Sequence, residues 1–166
     1  NLSDLPSLRL ANLMQLTHNM AVDVYLENTV SAARLVIVRL LGGIGYWSYG
    51  AEQLVALARK KDIYLAIVPG DDQPDPELKM YCTLATEACH RLWQYCAHGG
   101  PENAENLMNY AASLLDRGTS WKEPIPLVRA GNYWPGRSLP TRQDILDQWQ
   151  KNRPVAAIIF YRALLQ

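Results

Sequence analysis

The residues of this 166-residue chain best suited to chemistry gather around one glycine loop. Gly42, Gly43 and Gly45 end an apolar run from Leu35 to Leu41, and the aromatics Tyr46, Trp47 and Tyr49 lie in or just after the break. A short β-branched and leucine-rich run bounded by glycine reads as a strand buried on both faces, the pattern of a parallel sheet. A helical pattern starts near Ser48. Such a loop, between the carboxyl end of a strand and the start of a helix, is where open α/β sheets hold ligands. The aromatics therefore either line a site or pack the loop down. His18 falls in a loop on the same expected edge, and Asp71 and Asp72 follow the next predicted strand.

Each of these groups also has a plainer reading. A lone loop histidine such as His18 is more often structural than catalytic. Asp71 and Asp72 resemble a cation site only in composition, because Pro69, Pro74 and Pro76 around them describe a stiff, solvated turn. The glycine loop is a poor dinucleotide fingerprint. Gly43-Ile-Gly45-Tyr-Trp-Ser48 places serine where the third glycine belongs, and no acidic residue ends the next strand near Val68. Tyr46 and Trp47 would crowd a pyrophosphate, and no P-loop lysine is present. No Ser-His-Asp or Cys-His arrangement can be assembled. Cys82, Cys89 and Cys96 are seven residues apart. On one helix that spacing shares a face but separates neighbours by about 10 Å, too far for a disulfide or a shared metal ion. With Ala85 and Leu92 they read as a packing stripe, with His90 and His98 as surface or capping residues.

The elements that must position these groups follow from periodicity. Residues 7–11 alternate and predict a short strand; Val22, Tyr25, Leu26, Thr29, Val30 and Ala33 predict a helix over 22–33. The strand at 35–40, a helix over 49–61 with Leu54, Leu57 and Ala58 inward, and a strand at 63–68 complete a β-α-β-α-β order, which implies a parallel sheet. A short turn over 76–81 leads to a helix over 86–98, with Thr86 as its expected cap and Gly99-Gly100 as its stop. Pro101 opens a further helix ending at Gly118, 119–140 reads as an irregular connection, and Thr141 caps a helix over 142–151. Val155–Tyr161 predicts a final strand.

Composition narrows the function classes. A formal net charge of zero gives nothing with which to hold a phosphate backbone, which argues against nucleic acid. With 49% hydrophobic and 19% charged residues the chain is globular in character, and its longest apolar run is broken by Arg39, short of the ~18 residues of a membrane span. Three cysteines without framework spacing and no secretory leader point to a reducing cytoplasm. The absence of an initiating methionine, and a strand-like run close to Gln166, lead to the expectation of a piece of a longer protein.

Ser7-Leu-Arg-Leu-Ala-Asn-Leu13, Val22-Asp-Val-Tyr-Leu-Glu-Asn-Thr29, Ala33–Gly43, Val68-Pro-Gly-Asp-Asp-Gln-Pro-Asp-Pro76, Gly99–Asn106 and Arg153–Arg162 resemble, in order, the N-terminal region of the cobaltochelatase large subunit in the CobN/magnesium chelatase H subunit family. That resemblance implies an α/β fold, a Rossmann-like or flavodoxin-like, mostly parallel sheet with flanking helices and a helical insertion. Residues 1–76 would be the β-α-β-α-β part, its first strand missing; 77–151 a helical segment; and 152–166 the start of the next strand or domain. The implied parent is an ATP-dependent ligase inserting cobalt into hydrogenobyrinic acid a,c-diamide during aerobic cobalamin biosynthesis. ATP and magnesium would sit on a partner AAA+ subunit, with an integrin-like-domain subunit as the other partner. This segment has no dense carboxylate-histidine cluster and is not expected to be catalytic by itself. The substrate-binding expectation rests on Gly42, Gly43, Tyr46, Trp47 and His18, with Asp71 and Asp72 as weak metal candidates. A magnesium chelatase H subunit acting on protoporphyrin IX, or a scaffold without ring contact, are the alternatives.

Overall fold

The computed structural model describes residues 6–126, 131–136, 140–150 and 152–160, in two compact units, residues 1–126 and 127–166. The first unit is built on two parallel strands, β1 (Leu35–Leu40) and β2 (Tyr64–Pro69), in register from Leu35 opposite Tyr64 to Leu40 opposite Pro69. Helix α2 (Ser48–Lys61) connects them, and α1 (Asn19–Asn28) precedes β1. Two further helices, α3 (Thr86–His98) and α4 (Pro101–Ser113), follow β2.

Strand alternation sorts the side chains onto two faces. Val36, Val38, Leu40, Leu65 and Ile67 pack with Val22, Leu26, Ala51, Leu54 and Ala58 of α1 and α2. Ile37, Ala66 and Val68 pack with Ala88, Cys89, Leu92, Tyr95 and Tyr110 of α3 and α4. Both faces of β2 are thus covered, and Leu65 to Val68 are all buried, which is why this strand reads as a continuous apolar run. Helix α2 stops where Asp62 adopts a left-handed backbone (φ 55°), after a last turn carrying Arg59, Lys60 and Lys61. The turn to α4 is made by Gly99 and Gly100, both at positive φ, with Pro101 in the first turn.

The outer edge of β2 is closed by side chains rather than by another strand. Thr83 accepts from Leu65 N and donates to Ile63 O, while Leu65 O accepts from the amides of Thr83 and Leu84. Ile67 N donates to Cys82 Sγ at 3.3 Å. Among the described residues β1 pairs with β2 alone.

Several expectations are corrected. Residues 7–11 form no strand; Leu8 and Leu10 are exposed, because alternation makes a strand only where a neighbouring edge accepts it. Residues 155–160 also form no strand, with Ile158 83% and Ile159 98% exposed, while Tyr161 lies outside the described residues. The helix expected over 22–33 begins at Asn19 and ends at Asn28, and Val30–Ala32 make a separate 3-10 turn. Thr86 does not cap α3; Ala85 occupies that position without a side-chain bond. The turn expected over 76–81 is a 3-10 helix, Glu77–Tyr81.

In the second unit Thr141 does cap a helix, α5 (Arg142–Leu146), through a capping box with Asp144. The helix is shorter than the predicted 142–151, and Lys151 lies outside the described residues. Tyr133 and Phe160 meet edge to face, with ring centroids 5.7 Å apart. The described part of 119–140 contains neither helix nor strand; 127–130 and 137–139 lie outside it.

Candidate functional site

Three segments meet at the carboxyl edge of the sheet: residues 12–18, the loop after β1, and the loop after β2. Gly42 and Gly43 turn the chain out of β1 at φ 93° and 75°, the left-handed region that costs glycine nothing. A 3-10 turn, Ile44–Tyr46, then leads into α2. Gly70 lies so close to β1 that a Cβ there would meet Leu41 N at 2.8 Å, and its amide donates to Leu40 O. Arg39 Nη2 donates to Gly70 O, tying the end of β1 to the second loop. A Cβ on Gly43 would lie 3.5 Å from Asp75 Oδ2, so the two loops are in van der Waals contact.

The aromatics divide between the two roles open to them. Trp47 packs the loop down: its indole is 8% exposed, rests over Gly50, and donates from Nε1 to Leu16 O at 2.9 Å. Tyr46 is half exposed and donates its hydroxyl to Met14 Sδ. Tyr49 donates to both carboxylate oxygens of Asp23, and this hydrogen bond raises its pKa above the ordinary phenol value. Through Trp47 and Tyr46 the glycine loop is pinned to the segment that carries His18, two residues beyond Leu16. His18 is exposed, occupies the N-cap position of α1, and makes no side-chain cap bond.

The acidic candidates are engaged in bonds within their own loop. Asp71 Oδ1 accepts from Gln73 N, Asp72 Oδ1 accepts from Gln73 Nε2, and Asp75 Oδ1 accepts from Glu77 N. These are local turn bonds of the kind aspartate makes in loops. The Asp71 carbonyl also accepts from Trp93 Nε1 at 3.0 Å, which anchors the loop to α3. Among the described residues no three His, Cys, Asp or Glu side chains group closely enough to hold a metal ion. The edge offers two glycine backbones, one exposed phenol and one imidazole. That set can present an apolar and hydrogen-bonding surface, but it holds no general acid-base pair.

A second constellation escaped the sequence reading. Residues 119–126 cross α3 and α4 as a strap held by two buried asparagines. Asn103 Nδ2 donates to Gly99 O and Ile125 O, and its Oδ1 accepts from Ile125 N; Asn106 Oδ1 accepts from Lys122 N at 2.7 Å. Arg91 makes a two-pronged contact with Glu123 (2.9 and 3.0 Å), donates to the Tyr110 hydroxyl, and lies 4.7 Å from the Trp121 ring. An open groove of about 500 Å³ runs between α4 and this strap, bordered by Glu105, Asn109, Trp121 and Lys122. The available signal was the spacing of Asn103, Asn106 and Tyr110, which puts both amides on the buried stripe of α4.

Comparison with known proteins agrees along the whole chain. A family described as CobN/Magnesium Chelatase matches residues 93–166. The aerobic cobaltochelatase subunit CobN of Pseudomonas aeruginosa is 46% identical over 164 residues, 98% of this chain and 13% of that protein. The protein of the same name from Sinorhizobium sp is 39% identical, over 96% of this chain and 13% of that one. The chain thus spans about an eighth of the length of these relatives. The catalytic subunit of cobaltochelatase from Mycobacterium tuberculosis shares the fold, with a TM-score of 0.63 at 24% identity over 82% of this chain and 11% of that one. With its fold shared by one such subunit and its sequence by two others, the chain belongs to the CobN/magnesium chelatase family.

Proposed function

We propose that this chain is a non-catalytic segment of a cobaltochelatase large subunit, and that the parent enzyme inserts cobalt into hydrogenobyrinic acid a,c-diamide in aerobic cobalamin biosynthesis. The observation that carries this reading is 46% identity over nearly the whole chain to a protein named as a cobaltochelatase subunit. Cobalt is then a substrate of the parent. ATP and magnesium belong to an AAA+ partner subunit, and an integrin-like-domain subunit completes the complex in the cytoplasm. The lack of a P-loop supports that division of labour. No helix among the described residues is long and apolar enough to cross a membrane.

Within the parent, β1 and β2 belong to a Rossmann-like sheet, and the free edge of β1 continues it. The surface formed by Gly42, Gly43, Tyr46 and His18 approaches the macrocycle, and Trp47 serves it from beneath by fixing the loop. Tyr46, half exposed, is the aromatic available for stacking. Titrating the intact parent with hydrogenobyrinic acid a,c-diamide tests this: Tyr46→Ala should weaken ring binding several-fold while leaving subunit assembly unchanged. Equal affinity in both proteins would sink ring contact at this edge. Preference for protoporphyrin IX would sink the cobalt reading in favour of a magnesium chelatase.

A scaffold reading is favoured by one observation, the burial of Trp47, which takes the glycine loop's own indole off the surface. It predicts that Tyr46→Ala impairs capture of the partner subunits instead of the ring.

A further inference from the structure

Tyr46 is the aromatic that the glycine-loop edge leaves open, and it is held at both ends. At one end its backbone closes the 3-10 turn Ile44–Tyr46, with the amide donating to Gly43 O, and a Cβ on Gly42 would lie 3.9 Å from its own Cβ. At the other end the phenol hydroxyl donates to Met14 Sδ at 2.8 Å, across thirty-two residues of sequence. The residue is 54% exposed although its hydroxyl is engaged, so the ring is what it offers.

A built segment delivers the sulfur. Asn12 caps the 3-10 turn Leu13–Gln15, and its Oδ1 accepts from Met14 N at 3.0 Å. Leu13 and Leu16 pack against the core that α1 and α2 share with the sheet, and Leu16 O accepts the Trp47 indole N–H. Met14, between them, turns outward and is 66% exposed. It is too exposed to fill a gap in the core, the usual work of a methionine. Its sulfur instead meets the Tyr46 hydroxyl.

We propose that Met14 is a positioning residue for Tyr46: its sulfur accepts the phenol hydroxyl and holds the ring ready to stack on a flat conjugated macrocycle. This role rests on the reading that the glycine-loop edge approaches the ring. A loop phenol without that bond turns about its side-chain torsions, and a ligand that stacks on it must first arrest it. Met14 arrests it before the ligand arrives, so the ordering cost falls on folding and not on binding. The device works through the acceptor atom. Were Met14 an apolar contact of the macrocycle, leucine would serve as well as methionine.

Variants of the intact parent, titrated with hydrogenobyrinic acid a,c-diamide, separate the two. Met14→Leu keeps the volume and removes the acceptor, while Met14→Gln offers an amide oxygen to the same hydroxyl. Holding one side chain in place is worth about threefold in affinity. Met14→Leu and Tyr46→Phe should therefore each weaken binding about threefold, and Met14→Gln should bind like the wild type. Both single changes remove the same bond, so the double variant should also lose about threefold rather than about ninefold. Both positions are exposed, and the urea midpoint should stay at the wild-type value in all of these variants. Wild-type affinity in Met14→Leu, weaker binding by Met14→Gln than by Met14→Leu, or a fully additive double loss would overturn the proposal. Tyr46→Ala keeps the two levels apart. If it weakens ring binding while Met14→Leu does not, the positioning role alone falls; if it has no effect, ring contact at this edge falls and the positioning role with it.

Discussion

Gly50→Ala should destabilise the protein, although the same change inside a helix ordinarily stabilises by about 1 kcal/mol. Gly50 is the third residue of α2, and the Trp47 indole covers it. A Cβ at position 50 would lie 2.0 Å from Cε2, 2.3 Å from Cζ2 and 2.6 Å from Cδ2 of that ring. Ordinary contact begins at 3.4 Å, so the indole must retreat by about 1.4 Å. It cannot do so in place, because Nε1 is bonded to Leu16 O at 2.9 Å. Displacement removes about 2–3 kcal/mol of aromatic burial and about 1 kcal/mol of hydrogen bond, against which helix propensity returns about 1 kcal/mol. The net expectation is a loss of about 2–3 kcal/mol.

Urea unfolding followed by far-UV circular dichroism measures it without relying on the tryptophan signal. The decisive comparison is a double-mutant cycle with Trp47→Ala. Without the indole, Gly50→Ala should turn stabilising by about 1 kcal/mol, giving a coupling of about 3–4 kcal/mol. A raised urea midpoint for the single Gly50→Ala variant would refute the reasoning. Equal losses in both backgrounds would show that the clash lies elsewhere.

Other outcomes follow from the same geometry. Asn103→Ala should cost about 1–2 kcal/mol, because it removes the two hydrogen bonds that this buried side chain makes to the Ile125 backbone, and should expose the strap at 119–126 to proteolysis; unchanged cleavage there would count against the strap. Arg91→Lys should lose the two-pronged contact to Glu123 and the stacking on Trp121, for about 1 kcal/mol, since Glu123 is largely exposed. Gly70→Ala should lower the thermal midpoint, since its Cβ would press on the Leu41 backbone rather than on a movable side chain. Iodoacetamide should label Cys82 with a pH midpoint of about 7 in the folded chain. The sign is set by a depressed pKa: between about 7 and the usual thiol range Cys82 is already thiolate, while Cys96, raised by burial, is not. Equal labelling rates for the two cysteines at neutral pH would contradict this assignment.

The sequence by itself determined the kind and place of β1, α2, β2, α3 and α4. Their signals are local: an apolar run stopped by Gly42-Gly43, the basic last turn of α2, and Gly99-Gly100-Pro101 between two amphipathic stripes. It also placed the glycine loop and the acidic turn at one edge, because parallel strands send their carboxyl ends the same way. Tertiary structure decided what depends on a distant partner. Residues 7–11 and 155–160 carry strand-like patterns, but a strand needs an edge to pair with, and pattern alone cannot supply one. Trp47 turned inward because Gly50 leaves room and the Leu16 carbonyl, thirty-one residues earlier, accepts its N–H. Cys82 lies before α3 rather than on it, so a spacing that would set it on one helical face with Cys89 and Cys96 instead leaves it at the edge of β2, where its sulfur accepts the Ile67 amide.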